Sequence, residues 1–280
     1  MRRLSNRELK NYWSNLSEQC LDDDTRGLSV ICYAGMPNWF NAFVDRYQRK
    51  AFEKLAGDVR LSEAMVLDIG TGVGRWARWF ASLQNTRVIG IDIEPQRLKW
   101  AQRRSATRIQ YCIMSADHLS FSNGAFDVVN CIAVLQHVPD SVKRKAIAEM
   151  ARVLKPHGHA IVFELIDEAD DAPHVFPWSR EAWLKAFQAN GFSLLATAGD
   201  QYTPLLRLLK SVFKRLYGPQ SRRRIDDLKR TPDRVKGQSL YLALLRFLVL
   251  LSYPLEELCR LFVPPQYARV NGYLLVKERD

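Results

Sequence analysis

From Ala64 onward the chain alternates short, nearly continuous apolar runs with stretches whose apolar residues recur every three or four positions. Runs of the first kind read as strands buried on both faces, and stretches of the second kind as helices laid over them. Their alternation predicts a parallel sheet covered on both sides. The strand-like runs are Ala64–Ile69, Arg87–Ile91, Ile109–Ile113, Phe126–Cys131, His159–Glu164, Phe192–Ala198 and Arg269–Lys277. Helical spacing covers Arg75–Leu83, Pro95–Arg104, Ser141–Leu154 and Ser179–Asn190. The last of these opens on a hydroxyl N-cap, carries Glu181 in its first turn and is followed by Gly191, the start and stop signals of a helix.

Two further helical patterns, Ser5–Cys20 and Trp39–Ala56, precede the first strand and flank the turn-rich stretch Asp22–Pro37. They predict an N-terminal helical cap over residues 1–60, ahead of a core formed by residues 61–200 and 265–280. Between the sixth and seventh strands lies a long insertion, roughly Tyr202 to Tyr267. A structureless loop of that length is improbable in a compact domain, so residues 201–264 are expected to hold two or three helices.

Composition is that of an ordinary globular chain, with 47% hydrophobic and 25% charged residues over 280 positions. The net charge of +11 is unevenly placed: residues 201–264 hold 13 Lys/Arg against 5 Asp/Glu, so +8 falls on the insertion. Five cysteines stand at no metal or redox spacing, which predicts reduced, buried thiols and no metal site. Met1–Lys10 lacks the apolar core of a secretory signal, and the apolar run Leu240–Leu251 is shorter than the ~20 residues of a spanning helix. A cytoplasmic protein is expected, with attachment to a membrane surface left open.

The chemistry is concentrated in Val66-Leu67-Asp68-Ile69-Gly70-Thr71-Gly72-Val73-Gly74-Arg75-Trp76, which follows a strand and opens a helix. Alternate glycines allow a sharp turn and a close backbone approach to a ligand, and the helix start offers free N–H groups. A dinucleotide site calls for Gly-x-Gly-x-x-Gly, whereas here the third glycine follows after a single residue and Asp68 precedes the first.

From Asp68 to Gly74 the segment resembles, position by position, the Asp/Glu-x-Gly-x-Gly-x-Gly motif of class I S-adenosylmethionine-dependent methyltransferases. Further matches follow in order. Gly90-Ile91-Asp92-Ile93 ends the second strand, its acid 24 residues beyond Asp68, and Asp117-His118 follows the third. Phe126-Asp127-Val128-Val129-Asn130 leads into Val134-Leu135-Gln136-His137-Val138, and Lys155-Pro156-His157-Gly158-His159 is similar to the family's turn before strand five. The resemblance covers about Ala64–Ala198 and the last strand. It implies an α/β, Rossmann-like, seven-stranded mixed sheet of order 3-2-1-4-5-7-6, its last strand antiparallel.

The resemblance also implies S-adenosylmethionine as methyl donor and S-adenosylhomocysteine as product. Donor contacts are expected at Asp68, Gly70, Gly72, Gly74, Arg75, Asp92, Ile93, Asp117, His118 and Cys131. Asp92 would take the ribose hydroxyls, Asp117 and His118 would stand at the adenine, and Asp68 would orient the loop near the donor's amino group. Arg75 is either solvated or reaches a carboxylate. His137 is the candidate general base, since an imidazole titrates near neutrality. Glu164 and Asp167 are the other acids expected on the acceptor side. Tyr33, Met36, Trp39 and Phe40 form an aromatic-rich group that either closes over the site or packs on the sheet.

The insertion carries Leu205, Leu206, Leu208, Leu209, Val212, Phe213 and Leu216 at helical spacing, with Arg207, Lys210, Lys214 and Arg215 on the complementary face. Three readings stay open: a lid with a solvated basic face, an arginine site for an acidic acceptor with Arg207 as contact, and attachment to an anionic membrane bearing a lipid-linked acceptor. No Asn/Asp-Pro-Pro-aromatic signature and no Pro-Cys pair follows the fourth strand, which favours oxygen methylation of a small-molecule or glycan-type acceptor. The rivals are an RNA methyltransferase gripping polyanions through the insertion and a non-catalytic donor-binding or membrane-associated protein.

Overall fold

The computed structural model describes residues 2–21, 27–32, 38–57, 59–105, 108–166, 172–202 and 238–278. Tyr33, Met36, Asp167, Arg207 and the basic stretch through Arg224 lie outside the described residues, as does most of the predicted helical pattern of the insertion.

Seven strands form one sheet: β1 (Met65–Ile69), β2 (Arg87–Asp92), β3 (Ile109–Ile113), β4 (Phe126–Ile132), β5 (Leu154–Leu165), β6 (Phe192–Asp200) and β7 (Val270–Lys277). Their order is β3-β2-β1-β4-β5-β7-β6, as the sequence motifs imply, with β7 antiparallel to both β5 and β6. Among the described residues the helices are α1 (Asn6–Cys20), α2 (Leu28–Ile31), α3 (Asn38–Ala56), α4 (Arg75–Ala81), α5 (Pro95–Arg103), α6 (Asp140–Val153), α7 (Arg180–Gln188) and α8 (Gln238–Phe262). Local signals set several ends. Ser5 and Glu8 close a capping box on α1, Glu94 caps α5 ahead of Pro95, and Ser179 Oγ accepts from Ala182 N at the start of α7. β5 begins five residues earlier than predicted, and His157 (φ 62°) marks its bend.

The period-two alternation of the strands divides the core into two layers. Leu67, Val129 and Val162 point to the side covered by α6 and α7, where they meet Ile147, Met150, Trp183 and Phe187. Val66, Val128 and Ile161 point to the other side, against Phe52 of α3 and Trp76, Ala77 and Phe80 of α4. A domain boundary at residue 60 would therefore cut through a single apolar layer. α3 is part of the core, and only α1 and α2 lie outside it as a cap. Cys131 is buried as expected, but Cys32, Cys112 and Cys259 are only partly so. Among the described residues no helix is long and apolar enough to cross a membrane.

Candidate functional site

The Gly-rich turn leaves β1 at the carboxyl edge of the sheet, where open α/β folds bind ligands. Gly70, Gly72 and Gly74 have φ of 63°, 54° and 74°, the left-handed region that a Cβ disfavours. Thr71 N donates to Ile91 O (2.9 Å) and Gly74 N to Thr71 O (2.8 Å), which fixes the turn against β2. Asp68 is wholly buried behind it. Its carboxylate accepts from Thr71 Oγ1 (2.5 Å) and from Asn130 Nδ2 (2.7 Å), so it ties the turn to β4. Burial pushes its pKa up to about 6, although both hydrogen bonds pull the other way.

Asp92 ends β2 almost fully buried, and each of its oxygens is held by a backbone amide: Gly72 N to Oδ2 (2.8 Å) and Glu94 N to Oδ1 (2.9 Å). Each oxygen keeps a further lone pair for a hydroxyl donor. Ile93 beside it is exposed, Asp117 is half-buried and accepts from Ser115 Oγ, and His118 is exposed.

Two expected donor contacts stand elsewhere. Arg75 turns away from the glycines, with Nη1 donating to Asp45 Oδ1 (2.8 Å) and Nη2 to Gln48 Oε1, both on α3. The Cys131 thiol lies in the apolar layer under α6 without exposure, and burial raises its pKa, so no side-chain contact with a donor is open to it. The reason is the strand period: on β4 the side chain of residue 131 falls on the core face.

Beyond β4 the chain makes a 3-10 turn over Leu135–His137, and Glu164 holds it. This acid does not stand at the acceptor edge. It is completely buried, with Oε1 accepting from Val134 N (3.1 Å) and Leu135 N (2.8 Å) and Oε2 from Gln136 N (2.8 Å). Burial pushes its pKa up to about 7 against those three bonds. Glu164 is a positioning residue for the turn that presents His137.

The tautomer of His137 follows from its partners. Gln136 Oε1 accepts from Leu165 N (2.8 Å), so the Gln136 amide is the donor toward His137 Nε2 (3.1 Å). That nitrogen therefore presents a lone pair, and the ring proton sits on Nδ1 facing His174 O (3.0 Å). Around this imidazole stand Trp13 (edge-on, 5.0 Å between centroids) and His174 (stacked, 5.5 Å), with Tyr12 stacked on His174 (4.5 Å).

Tyr12 and Trp13 come from α1, and His174 from the stretch between β5 and α7. Trp39 is half-buried and meets Phe40 edge-on (6.0 Å). Docking on α5 brings α1 over the edge: Arg97 Nε donates to Ser17 Oγ (2.9 Å) and the guanidinium lies 5.0 Å from the Trp13 ring. Nothing in the local sequence marks Tyr12, Trp13 or His174 as site residues, beyond an aromatic pair on an amphipathic helix.

The same elements recur in known proteins. Residues 66–158 match the methyltransferase domain family. The chain is 30% identical to methyltransferase GfsG of Streptomyces halstedii over 127 residues, 44% of each protein. It is 36% identical to the ubiquinone biosynthesis O-methyltransferase of Xanthomonas oryzae pv. oryzae over 102 residues, 35% of this chain and 41% of that one. The chain thus spans less than half the length of these curated relatives. In fold it is similar to the cyclase SpnF, with a TM-score of 0.62 at 17% identity over 100% of this chain and 99% of the other. Sheet order, Gly-rich turn and matched domain agree: the chain carries a methyltransferase domain over residues 66–158, set in a Rossmann-like sheet.

Proposed function

We propose that this protein methylates a hydroxyl oxygen of a small ring-bearing acceptor, a sugar or an aromatic metabolite, with His137 Nε2 receiving the proton. The observation that carries this reading is the His137 imidazole, with Nε2 facing the Gln136 amide donor and the ring set among Trp13, Tyr12 and His174 on the ligand edge of the sheet. Flat aromatic faces suit a ring substrate.

The residues present fit the donor. A Cβ on Gly72 would come within 3.1 Å of Ile31 Cγ2 and 4.0 Å of Asp92 Oδ2, so bare backbone at Gly72 keeps open the space beside the carboxylate. Asp92 would hold the ribose hydroxyls, the amides of the glycine turn the amino-acid end, and Ile93 and Asp117 the base. Bound there, the donor supplies a methyl group activated on a sulfonium. Asp68 keeps the turn in register through Thr71 and Asn130, and Glu164 keeps the His137 turn in place. At His137, Nε2 exchanges the Gln136 amide for the acceptor hydroxyl, and His174 O steadies Nδ1–H as positive charge develops on the ring.

Relatives described as O-methyltransferases support oxygen as the atom methylated. Because a cyclase shares the fold, fold alone does not decide the reaction. The test is incubation with labelled methyl donor and a panel of sugar nucleotides, phenolic metabolites and RNA. Label in a sugar or phenol hydroxyl is expected. Label in RNA, or donor binding with no demethylated product from any acceptor, would overturn the proposal.

A further inference from the structure

Helices α2, α3, α4 and α5 together wall a groove of about 550 Å³, a volume within the range of small-molecule sites, about 300–1,000 Å³. Four guanidiniums line it, from Arg49 on α3, Arg75 and Arg78 on α4 and Arg104 just past α5, against the single carboxylate of Asp45. That carboxylate is already shared. Its Oδ1 accepts from Arg75 Nη1 (2.8 Å) and its Oδ2 from Arg49 Nε (3.3 Å). Arg78 Nη1 donates to a neutral acceptor, Val73 O (2.6 Å), and Arg104 lies 4.0 Å over the Trp100 ring. Among the described residues neither Arg78 nor Arg104 forms an ion pair. Burial pulls the Arg78 pKa below the ordinary guanidinium range, and the charges of Arg49 and Arg104 add to that pull.

Two buried donors in the same wall also lack an acceptor among the described residues, Arg75 Nε and Trp100 Nε1. Trp100 is 6% exposed and Arg75 9%. A buried N–H without a partner is costly, and an anion in the groove would relieve both that cost and the repulsion between the guanidiniums. Guanidinium forks match phosphate oxygens in pairs, and an excess of positive charge this large calls for more than one phosphoryl group. A concavity walled by four elements suits a compact ligand, whereas a polymer or a lipid surface is met by basic residues laid along an outward face.

We propose that this groove binds a small metabolite bearing a diphosphate or polyphosphate group. It is separate from the methyl-donor face. Neither Asp92 nor the glycines of the turn line it, and Arg75 points from that turn toward α3.

Calorimetry of the full chain with pyrophosphate tests this at fixed ionic strength. Inorganic phosphate, a short RNA and vesicles of phosphatidylcholine with phosphatidylglycerol are the other arms. Pyrophosphate should bind at least about tenfold tighter than phosphate, and equally well with or without S-adenosylhomocysteine. Arg104→Gln and Arg49→Gln should each weaken it about tenfold, and Arg104→Lys by less, because the charge stays and only the fork is lost. All three variants should bind S-adenosylhomocysteine as the parent does, which shows that the core is intact. Absence of pyrophosphate binding, or binding that both glutamine variants leave unchanged, would overturn the proposal. Displacement of pyrophosphate by S-adenosylhomocysteine would do so too, since the anion would then sit in the donor site. Tighter, Arg104-dependent binding of the RNA or the vesicles would give the groove to a polymer or a membrane instead. The sequence continues from Leu21, which packs with Trp100, into Asp22, Asp23 and Asp24. Binding that appears only once these three are changed to Asn would make the chain's own acids the occupant, and would equally overturn the proposal.

Discussion

Gly70 is the point where the donor turn touches the turn that presents His137, and its replacement by alanine separates two costs. A Cβ there would overlap Val134 Cγ2 and lie 2.9 Å from Cγ1 and 3.2 Å from Cβ of the same residue. The first cost is conformational: φ of 63° in a residue with a Cβ costs about 1–2 kcal/mol. The second is overpacking, about 1–3 kcal/mol in a well-packed setting. Gly70→Ala is therefore expected to destabilise the fold by about 2–5 kcal/mol. Val134→Ala removes both clashing methyls and by itself costs about 1–2 kcal/mol, because Val134 is only partly buried. In the double variant the overpacking is relieved, leaving the conformational cost of residue 70 and the cost of Val134→Ala itself, so the two substitutions should couple favourably by about 1–3 kcal/mol. Urea denaturation of the four proteins at one pH measures this cycle, and calorimetry with S-adenosylhomocysteine should rank the donor affinities in the same order. Additivity within about 0.5 kcal/mol would show that the two turns do not bear on each other, and would remove the argument that the donor turn and the His137 turn are packed as one unit.

Three further expectations follow from single side chains. Asp92→Asn keeps the shape but turns an amide N–H2 toward Gly72 N or Glu94 N, both of which donate to Asp92 now; S-adenosylhomocysteine affinity by calorimetry should fall at least about tenfold, and parent-like affinity would refute the ribose assignment. His137→Ala should lower kcat by about 10²-fold or more with donor affinity unchanged, whereas unchanged turnover would take proton transfer away from this residue. Asp200 is completely buried at the end of β6 and its pKa is pushed up to about 7 by burial, Glu256 adding to the effect and Arg260 opposing it. A raised folded pKa means stability that is present below about pH 4 and lost as the pH climbs through 7. Asp200→Asn should thus match the parent only below about pH 4 and exceed it by a margin that grows up to about pH 7, read by denaturant unfolding; a parent more stable at pH 8 than the variant would contradict the sign.

How far these features could be read in the sequence depends on what each one requires. Strand positions were legible because a strand buried on both faces must be apolar nearly throughout, and their order followed from the resemblance of the glycine turn and Asp92 to the methyltransferase motifs. The aromatic wall of the site was not. That α1 reaches His137 is decided by the docking of Ser17 and Trp13 against Arg97, which lies 80 residues beyond Ser17. Arg75 was ambiguous for a similar reason. A basic residue after the glycine turn looks the same whether it meets a ligand or an acid 30 residues earlier, and Asp45 is marked only by its place on α3.

Glu164 shows where such reading ends. An acid closing an apolar strand suggests a group that meets water or substrate, because an unpaired carboxylate does not stay buried. Here β7 covers that end of the strand, with Glu164 opposite Asn271, and three amides of the turn before α6 converge on the carboxylate. Amides at the start of a turn as short as Leu135–His137 need acceptors outside it, and the carboxylate supplies them. The acid is required by the backbone beside it, and it sets where His137 stands.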